Sequence, residues 1–227
     1  SADYSQVELR VMAHLSGDES LISALNNGED IHTFTAKNIF NIDNDDMVLP
    51  EMRRIAKIVN FGIMYGAGPF RLSQELDIPF GEAKQIKDAY FKKYQGIEKY
   101  IENSKLQIKE TKSVATLLGR KRAVWDSDSQ NKIRRDAAER MAINMPIQGT
   151  AAEMIKLAMI KIHRQMNKEN LKSKLIMQIH DELLLEVHQD EIDYISKMVI
   201  ENMRDAMKLD VPIEIDFGVG PSWYEAH

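Results

Sequence analysis

The chain of 227 residues contains no cysteine, which excludes a disulfide framework and a thiolate zinc site. With 44% hydrophobic and 29% charged residues it is ordinary globular material, and no apolar run approaches the roughly 18 residues that span a bilayer. The charged start lacks the apolar region of a signal peptide, so we expect a cytoplasmic protein with no membrane contact. The net charge of −5 disfavours a uniformly basic surface, although basic residues cluster near positions 53–57, 120–122 and 132–135.

The first part of the chain is predicted to be helical after one short strand. Residues 1–4 look like a strand stub, and a helix follows over about 6–15, ended by Gly17. From about 17 to 135 the pattern is almost wholly helical, interrupted only by short glycine- and proline-containing breaks.

The last part of the chain mixes helices and strands. A long helix is predicted over 136–166, with a kink at Pro146 because proline removes a backbone donor. Residues 174–187 have the pattern of a tight hairpin, followed by a helix over 190–207 and a strand over 211–216. Together the elements predict an α+β fold: a small antiparallel sheet with packed helices, built from both chain ends, and a mainly helical insert.

Two aspartates are expected to meet at the rim of that sheet. Asp3 ends the first strand, and Asp181 lies at the tip of the hairpin. Mg²⁺ binds through one or two carboxylates together with substrate phosphates, so the pair could hold metal. In the alternative interpretation, Asp3 caps a helix and Asp181 is an ordinary turn residue. Spacing alone does not decide between them.

The helix over about 50–65 carries two distinct faces. A helical wheel predicts that its core face comprises Ile55, Ile58, Val59 and Gly62. A stripe of residues four apart lies on the other side: Arg53, Lys57, Phe61 and Tyr65. Two cations followed by two aromatic rings suit a nucleoside triphosphate lying along the helix. The alternative is a solvated basic stripe with two half-buried rings.

A second polar stripe lies on the long helix. Arg140, Asn144 and Gln148 are also spaced by four and share a face. Side chains of this kind can contact the minor-groove acceptors that every base pair presents. An ordinary polar helix face would have the same spacing, so both interpretations stay open on the residues alone.

Several segments resemble the motifs of the family A DNA polymerases. DYSQVELR at 3–10 resembles motif A, RRIAKIVNFGIMYG at 53–66 resembles motif B, and QIHDE at 178–182 resembles motif C. The segment RMAINMPIQGTAAEMIK at 140–156 is similar to the helix before motif C, and the ending GPSWYEAH is similar to the family's terminus. The resemblance covers essentially the whole chain, with its motifs in the family's order.

The resemblance implies a function and a division of the chain. Residues 1–16 and 136–227 would be the palm, and 17–135 the fingers. The chain would add dNTPs to a primer 3′-OH on template DNA, with two Mg²⁺ ions and release of pyrophosphate. Its partners would be primer–template DNA, dNTPs and the missing N-terminal part of the same polymerase, in a monomer near the bacterial nucleoid.

The resemblance also assigns roles to individual residues. Asp3 and Asp181 would bind metal, joined by the backbone carbonyl of Tyr4, with Glu182 as a nearby carboxylate. Contacts to the dNTP would come from Arg53, Lys57, Phe61, Tyr65, His32, Glu8 and Gln6. Lys57 would also protonate the leaving pyrophosphate. Contacts to DNA would come from Arg140, Asn144, Gln148 and His180.

Three of these residues carry a further expectation. Ser5 and Glu8 have the spacing of a helix capping box, while the resemblance implies that Glu8 blocks a ribose 2′-OH. Phe61, where other family members have Tyr, implies poor use of dideoxynucleotides. His32 follows Asp30 at a probable helix start, and would be either a phosphate contact or a lone exposed histidine.

Other classes of protein compete with this interpretation. The dipeptide His180-Asp181 occurs in HD-type metal phosphohydrolases, but there it lies on a helix, whereas β-type residues flank it here. A single-subunit RNA polymerase shares the motif plan, but Glu8, Phe61 and QIHDE favour the DNA enzyme. The remaining alternative is a fragment that binds nucleotide or DNA but is inactive without the thumb and the preceding palm strands.

Overall fold

The computed structural model describes Ser1–His227, which form ten α-helices and six β-strands. The strands are β1 (Ala2–Tyr4), β2 (Ser113–Ala115), β3 (Lys121–Ala123), β4 (Lys174–Ile179), β5 (Glu182–Glu186) and β6 (Ile215–Phe217). The first helices are α1 (Val7–Ser16), α2 (Glu19–Asn26), α3 (Ile31–Phe40), α4 (Pro50–Met64) and α5 (Pro69–Leu76). The others are α6 (Phe80–Lys93), α7 (Gln95–Thr111), α8 (Lys132–Lys168), α9 (Ile192–Arg204) and α10 (Trp223–Ala226). No helix is both long enough and apolar enough to traverse a bilayer.

Both ends of the chain contribute to one antiparallel sheet, in the order β4-β5-β1-β6. Within it, β1 lies between β5 and β6, so that Asp3 is opposite Glu182 on one side and Asp216 on the other. The predicted hairpin is confirmed, with β4 and β5 joined at residues 180–181. The α+β fold expected from the sequence is therefore correct.

The two faces of β1 have opposite characters because side chains alternate along a strand. Ala2 and Tyr4 are buried with Leu183 of β5, and the Tyr4 hydroxyl donates to the carbonyl of Met203, at the end of α9, over 2.8 Å. Burial of that ring raises the pKa of Tyr4. Asp3 points to the other face, which it shares with its cross-strand neighbours. The apolar side of β1 thus anchors the sheet and fixes where its acidic side faces.

The chain divides into two compact units. The first unit comprises Ser1–Val11 and Gly149–His227, with the four-stranded sheet and α9. The second unit comprises Met12–Gln148, in which α3 packs against α4 and α6, and α5 packs against α6. Helices α1 and α8 each contribute residues to both units.

A hairpin occupies part of the segment over 17–135 that was predicted to be almost wholly helical, with only a short break there. Strands β2 and β3 pair around a turn in which Gly119 has φ +83°, a conformation that glycine adopts without steric cost. Val114 of β2 is buried in a cluster with Ile108 and Val124, against the start of α8. The basic residues at 120–122 therefore lie on and beside an exposed strand.

Two other predicted elements have different bounds. The strand expected over 211–216 is limited to Ile215–Phe217. Pro212 has no N–H to donate to a strand ladder, and its carbonyl instead accepts from Arg10 Nη1 over 2.6 Å. The long helix, α8, begins earlier than expected and runs without interruption through Pro146.

Candidate active site

The acidic rim of the sheet brings together the two aspartates that the sequence singled out. The backbone N–H of Tyr4 donates to the Asp181 carbonyl oxygen over 3.3 Å, which joins the end of β1 to the β4–β5 turn. Asp3 is in register with Glu182 and with Asp216. Asp216 was not singled out from the sequence, although it lies in a predicted strand.

Asp3 is in an environment that disfavours its charge. Partial burial raises its pKa to about 6, with repulsion from Asp181, Glu182 and Asp216 acting in the same direction. Its Oδ1 atom is buried and has no hydrogen-bond partner. A buried carboxylate oxygen without a donor is costly, so this position favours a cation that the protein itself does not provide.

Glu182 faces the same side of the sheet but is held by other groups. It is 4% exposed, and its Oε1 accepts hydrogen bonds from the Ser1 hydroxyl over 2.5 Å and from Trp223 Nε1 over 2.8 Å. Burial acts to raise the pKa of Glu182, but these bonds and the nearby His227 outweigh it and lower the pKa. Glu182 thus anchors α10 to the sheet, which strand alternation in the sequence could not reveal.

The donor set fits Mg²⁺ bound together with a phosphate ligand. No three Asp, Glu, His or Cys side chains converge into an all-protein metal cage. Mg²⁺ usually uses one or two carboxylates plus substrate phosphates, which Asp3 and Asp181 can supply. The Tyr4 phenol is turned into the core, so only its backbone carbonyl is available on this side.

Helix α4 presents the expected stripe, but its core face is rotated from the prediction. The buried residues are Ala56, Val59, Asn60, Gly62, Ile63 and Met64, whereas Ile55 and Ile58 are only half-buried. The prediction was wrong because it centred the core face on Ile55, whereas the buried side is centred nearer Ala56 and Ile63. Arg53 and Lys57 are exposed, and the half-buried rings of Phe61 and Tyr65 lie 6.2 Å apart.

Arg53 is held in a two-point ion pair with Asp30. Its Nε and Nη2 donate to the two carboxylate oxygens over 3.1 and 2.7 Å, while Asp30 also accepts from the Thr33 N–H as the N-cap of α3. Burial acts to raise the pKa of Asp30, but the bonds from Arg53 and Thr33 outweigh it and lower the pKa to about 2. The pair orients a guanidinium that still has free N–H groups.

His32 is buried, so the expectation of a lone exposed histidine was wrong. It is 4% exposed, its Nδ1 lies 3.0 Å from Asn60 Nδ2, and its ring centroid lies 5.8 Å from that of Phe61. The packing of α3 against α4 causes this burial. Burial lowers the pKa of His32; Asp30 opposes that change, and Arg53 and Lys57 add to it.

The expected capping box at the start of α1 is absent. The helix begins at Val7, and Gln6 has φ +51°, so the residue after Ser5 is not helical as a capping box requires. The Gln6 carbonyl instead accepts from the N–H groups of Leu9 and Arg10. Glu8 is half-buried in the first turn of α1.

The residues expected to contact DNA lie on two different elements. On α8, Arg140 and Asn144 are half-buried and Gln148 is exposed, and the Asn144 Oδ1 atom is buried without a partner. His180 is exposed at the β4–β5 turn with φ +54°. Thus Asp3, Tyr4, Gln6, Glu8, His180, Asp181 and Glu182 belong to the first unit, and the other site residues to the second.

Comparison with known proteins identifies the family. The model of DNA polymerase family A matches residues 1–225. The chain is 47% identical over 226 residues to DNA polymerase I of Bacillus subtilis and equally to the thermostable DNA polymerase I of Thermus filiformis. A solved structure titled as the POL domain of Pol1 from M. smegmatis, in complex with DNA primer-template and dNTP, superposes with a TM-score of 0.96 at 43% identity over 99% of the chain.

A sheet with acids at its rim and a large helical insert is therefore a polymerase fold. The chain belongs to DNA polymerase family A. It spans 26% of the length of the B. subtilis protein, 27% of the T. filiformis protein and 40% of the solved M. smegmatis chain.

Proposed function

We propose that this chain carries the nucleotidyl-transfer centre of a template-directed DNA polymerase. The observation that supports this most directly is the pairing of β1 with β5 and β6, because it puts Asp3 beside Asp181 with an unpaired, buried carboxylate oxygen. Family membership and the likeness to a domain solved with primer-template and dNTP support the same function.

The proposed reaction forms one bond and breaks one. The primer 3′ oxygen gives its proton to water and bonds to the α-phosphorus of the dNTP, and the bond from that phosphorus to the pyrophosphate oxygen breaks. Two Mg²⁺ ions, held by Asp3, Asp181 and the Tyr4 carbonyl, would stabilise charge on the attacking and leaving oxygens. Arg53 and Lys57 bind the phosphates by charge-assisted hydrogen bonds, and Lys57 gives a proton to the pyrophosphate.

The remaining site residues select and position the substrates in this proposal. Phe61 packs beside the sugar, Tyr65 lies where the templating base fits, and Glu8, next to Gln6, excludes a ribose 2′-OH. Contacts to primer–template come from Arg140, Asn144, Gln148 and His180. Residues 1–16 and 136–227 form the palm and 17–135 form the fingers.

A second candidate is that this stretch alone binds substrates but does not polymerise. The edge strand β4 exposes Ile176 and Met177 to 53% and 44%, which leaves apolar surface for a further part of the protein to cover. The chain also spans only about a quarter of its curated relatives. Activity would then require the longer polypeptide.

Primer extension with Mg²⁺ and dNTPs tests both candidates. The complete polypeptide should extend a primer, and Asp3→Asn or Asp181→Asn should lower the rate of extension about a thousandfold. Glu186→Gln, which alters an exposed carboxylate on β5, is the matched control and should leave it unchanged. Absence of extension by the unaltered complete polypeptide would overturn the proposed function. Processive synthesis by the 227-residue chain alone would overturn the second candidate.

A further inference from the structure

A continuous row of buried hydrogen bonds connects the α6–α7 junction to His32. The Tyr94 hydroxyl lies 2.8 Å from Thr35 Oγ1, Thr35 Oγ1 lies 3.1 Å from Asn60 Oδ1, and Asn60 Nδ2 lies 3.0 Å from His32 Nδ1. Tyr94, Thr35 and Asn60 are 1%, 0% and 1% exposed. No solvent is therefore available to complete the hydrogen bonding of these groups.

One arrangement of protons gives every hydroxyl donor in the row an acceptor within it. The Tyr94 hydroxyl proton has Thr35 Oγ1 as its acceptor, so Thr35 must donate its own proton to Asn60 Oδ1. Asn60 then presents its Nδ2–H groups to His32, whose Nδ1 must be unprotonated to accept. In the opposite amide orientation Asn60 Nδ2 would donate to Thr35 Oγ1, so that either the Tyr94 proton or the Thr35 proton would have no acceptor within the row, at a desolvation cost.

This proton arrangement determines which side of the imidazole donates. With Nδ1 accepting, a neutral His32 carries its proton on Nε2. The His32 ring also lies beside Phe61, which belongs to the same stripe of α4 as Lys57. Arg53, on that stripe too, is paired to Asp30, two residues before His32. Burial and the two nearby cations favour the neutral ring, because they lower the pKa of His32.

We infer that Asn60, held by Thr35 and Tyr94, is a positioning residue that fixes His32 as the Nε2–H tautomer and thereby makes it a neutral hydrogen-bond donor to the triphosphate. The ligand in this inference, the dNTP triphosphate, rests on the proposed function, whereas the tautomer of His32 does not. It gives the buried polar residue on the core face of α4 a role that apolar packing does not explain.

The tautomer can be measured without any substrate. In the complete polypeptide with ¹⁵N-labelled histidine, long-range ¹H–¹⁵N spectra at neutral pH should show His32 with its proton on Nε2, assigned by loss of the signal in His32→Gln. Asn60→Asp, which can only accept, should move the proton of the neutral ring from Nε2 to Nδ1. A Nδ1–H or mixed tautomer in the unaltered protein overturns the inference, whatever the polymerase activity.

The consequence for substrate binding is tested separately. Asn60→Asp should weaken dNTP binding about tenfold, the effect of losing one hydrogen bond to a charged group. It should have almost no further effect in a His32→Gln background, because the two residues act through one contact. Thr35→Val, which breaks the row one step earlier, should weaken binding in the same direction and provides a second variant should Asn60→Asp fail to fold.

A similar pair elsewhere provides the matched control. Asn167 Nδ2 lies 3.0 Å from His163 Nε2 on the exposed surface of α8, so Asn167→Asp alters a histidine ring in the same way. It should leave dNTP binding unchanged. Additive losses in the Asn60→Asp, His32→Gln double variant would overturn the inference, whereas no dNTP binding by the unaltered polypeptide would overturn the proposed function instead.

Discussion

Tyr4 donates its backbone N–H to the carbonyl oxygen of Asp181, so the strand that begins the chain is tied directly to the hairpin turn near its end. This bond matters because neither aspartate of the candidate metal site is positioned by its own neighbours in sequence. Asp3 is positioned by the pairing of β1 with β5 and β6. Asp181 lies in the β4–β5 turn and accepts the hydrogen bond from the Tyr4 N–H. The candidate site is therefore a product of long-range strand pairing.

Removing the charge of Asp3 should stabilise the metal-free protein while lowering the rate of primer extension. Asp3 is partly buried among Asp181, Glu182 and Asp216, which disfavours its ionised form. Asp3→Asn should raise the melting temperature by about 2–4 °C for each kcal/mol of repulsion relieved. The rate of primer extension should fall about a thousandfold, since a metal contributes several kcal/mol to the transition state.

Calorimetry with and without Mg²⁺ checks the stability effect. Mg²⁺ should raise the melting temperature of the unaltered protein and have less effect on Asp3→Asn. Glu186→Gln serves as the control and should respond to Mg²⁺ like the unaltered protein. A variant that is less stable than the unaltered protein and responds equally to Mg²⁺ would contradict this account of Asp3.

The sequence predicted the parts of the site that follow from periodicity and motif order. The positions of Asp3 at the end of the first strand and Asp181 at the hairpin tip predicted that they would meet at one rim, and spacing by four placed Arg53 and Lys57 on one stripe. The order of strand and helix patterns along the chain was sufficient to predict a sheet built from both chain ends. These predictions needed only local patterns and their order, which a single sequence displays.

The remaining parts depend on tertiary contacts that periodicity does not encode. Asn60 is buried because a row of polar partners from α3 and the α6–α7 junction satisfies its hydrogen bonds, and a helical wheel centred on Ile55 leaves it outside the core face. Glu182 is turned towards Trp223, a contact with the last helix that no spacing rule reveals. The expected capping box at Ser5 failed because Gln6 adopts a left-handed conformation, for which its sequence gives no signal.

Gly66 should be intolerant of any side chain. It follows α4 with φ +75°, and an added Cβ would lie 3.0 Å from Arg140 Cγ and 3.2 Å from Ile143 Cδ1. Gly66→Ala should lower the free energy of unfolding by about 1–2 kcal/mol from the backbone conformation alone, with more from the crowding against α8. Urea denaturation measures the loss.

The matched control for Gly66 is Gly81, near the start of α6. An added Cβ there meets no atom within 4 Å, and its φ is not positive. Gly81→Ala should leave stability unchanged or raise it by up to about 1 kcal/mol, because alanine is the better helix former. Equal losses in the two variants would mean that the close approach of Gly66 to α8 has no energetic importance.

Two substitutions at Asp30 should separate its two structural roles. Asp30→Asn keeps a side-chain cap for the Thr33 N–H but removes the ion pair with Arg53; because that pair is partly exposed, the cost should be below about 1 kcal/mol. Asp30→Ala also removes the cap and should cost about 1 kcal/mol more. The difference should persist at high salt, whereas the ion-pair contribution should shrink. If Asn and Ala variants are equally stable in urea, the cap at Asp30 contributes nothing.

Glu191 should make the stability of the first unit depend on acid pH. Its carboxylate accepts from the N–H groups of Lys172 and Ser173, each over 2.9 Å, and from the Ser173 hydroxyl over 2.6 Å. These bonds, led by that from Lys172, lower the pKa of Glu191 to about 2. Because the folded pKa lies below the ordinary value of 4.5, the stabilisation is complete above about pH 4.5 and is lost as the pH falls towards 2.

Glu191→Gln should therefore lower the melting temperature at pH 7, and the difference from the unaltered protein should narrow steadily between pH 4.5 and the lowest pH at which both still fold. Glu186→Gln, on the neighbouring strand, should show no such narrowing, and a Glu191→Gln difference that is constant with pH would show that the loop before β4 does not depend on this carboxylate's charge.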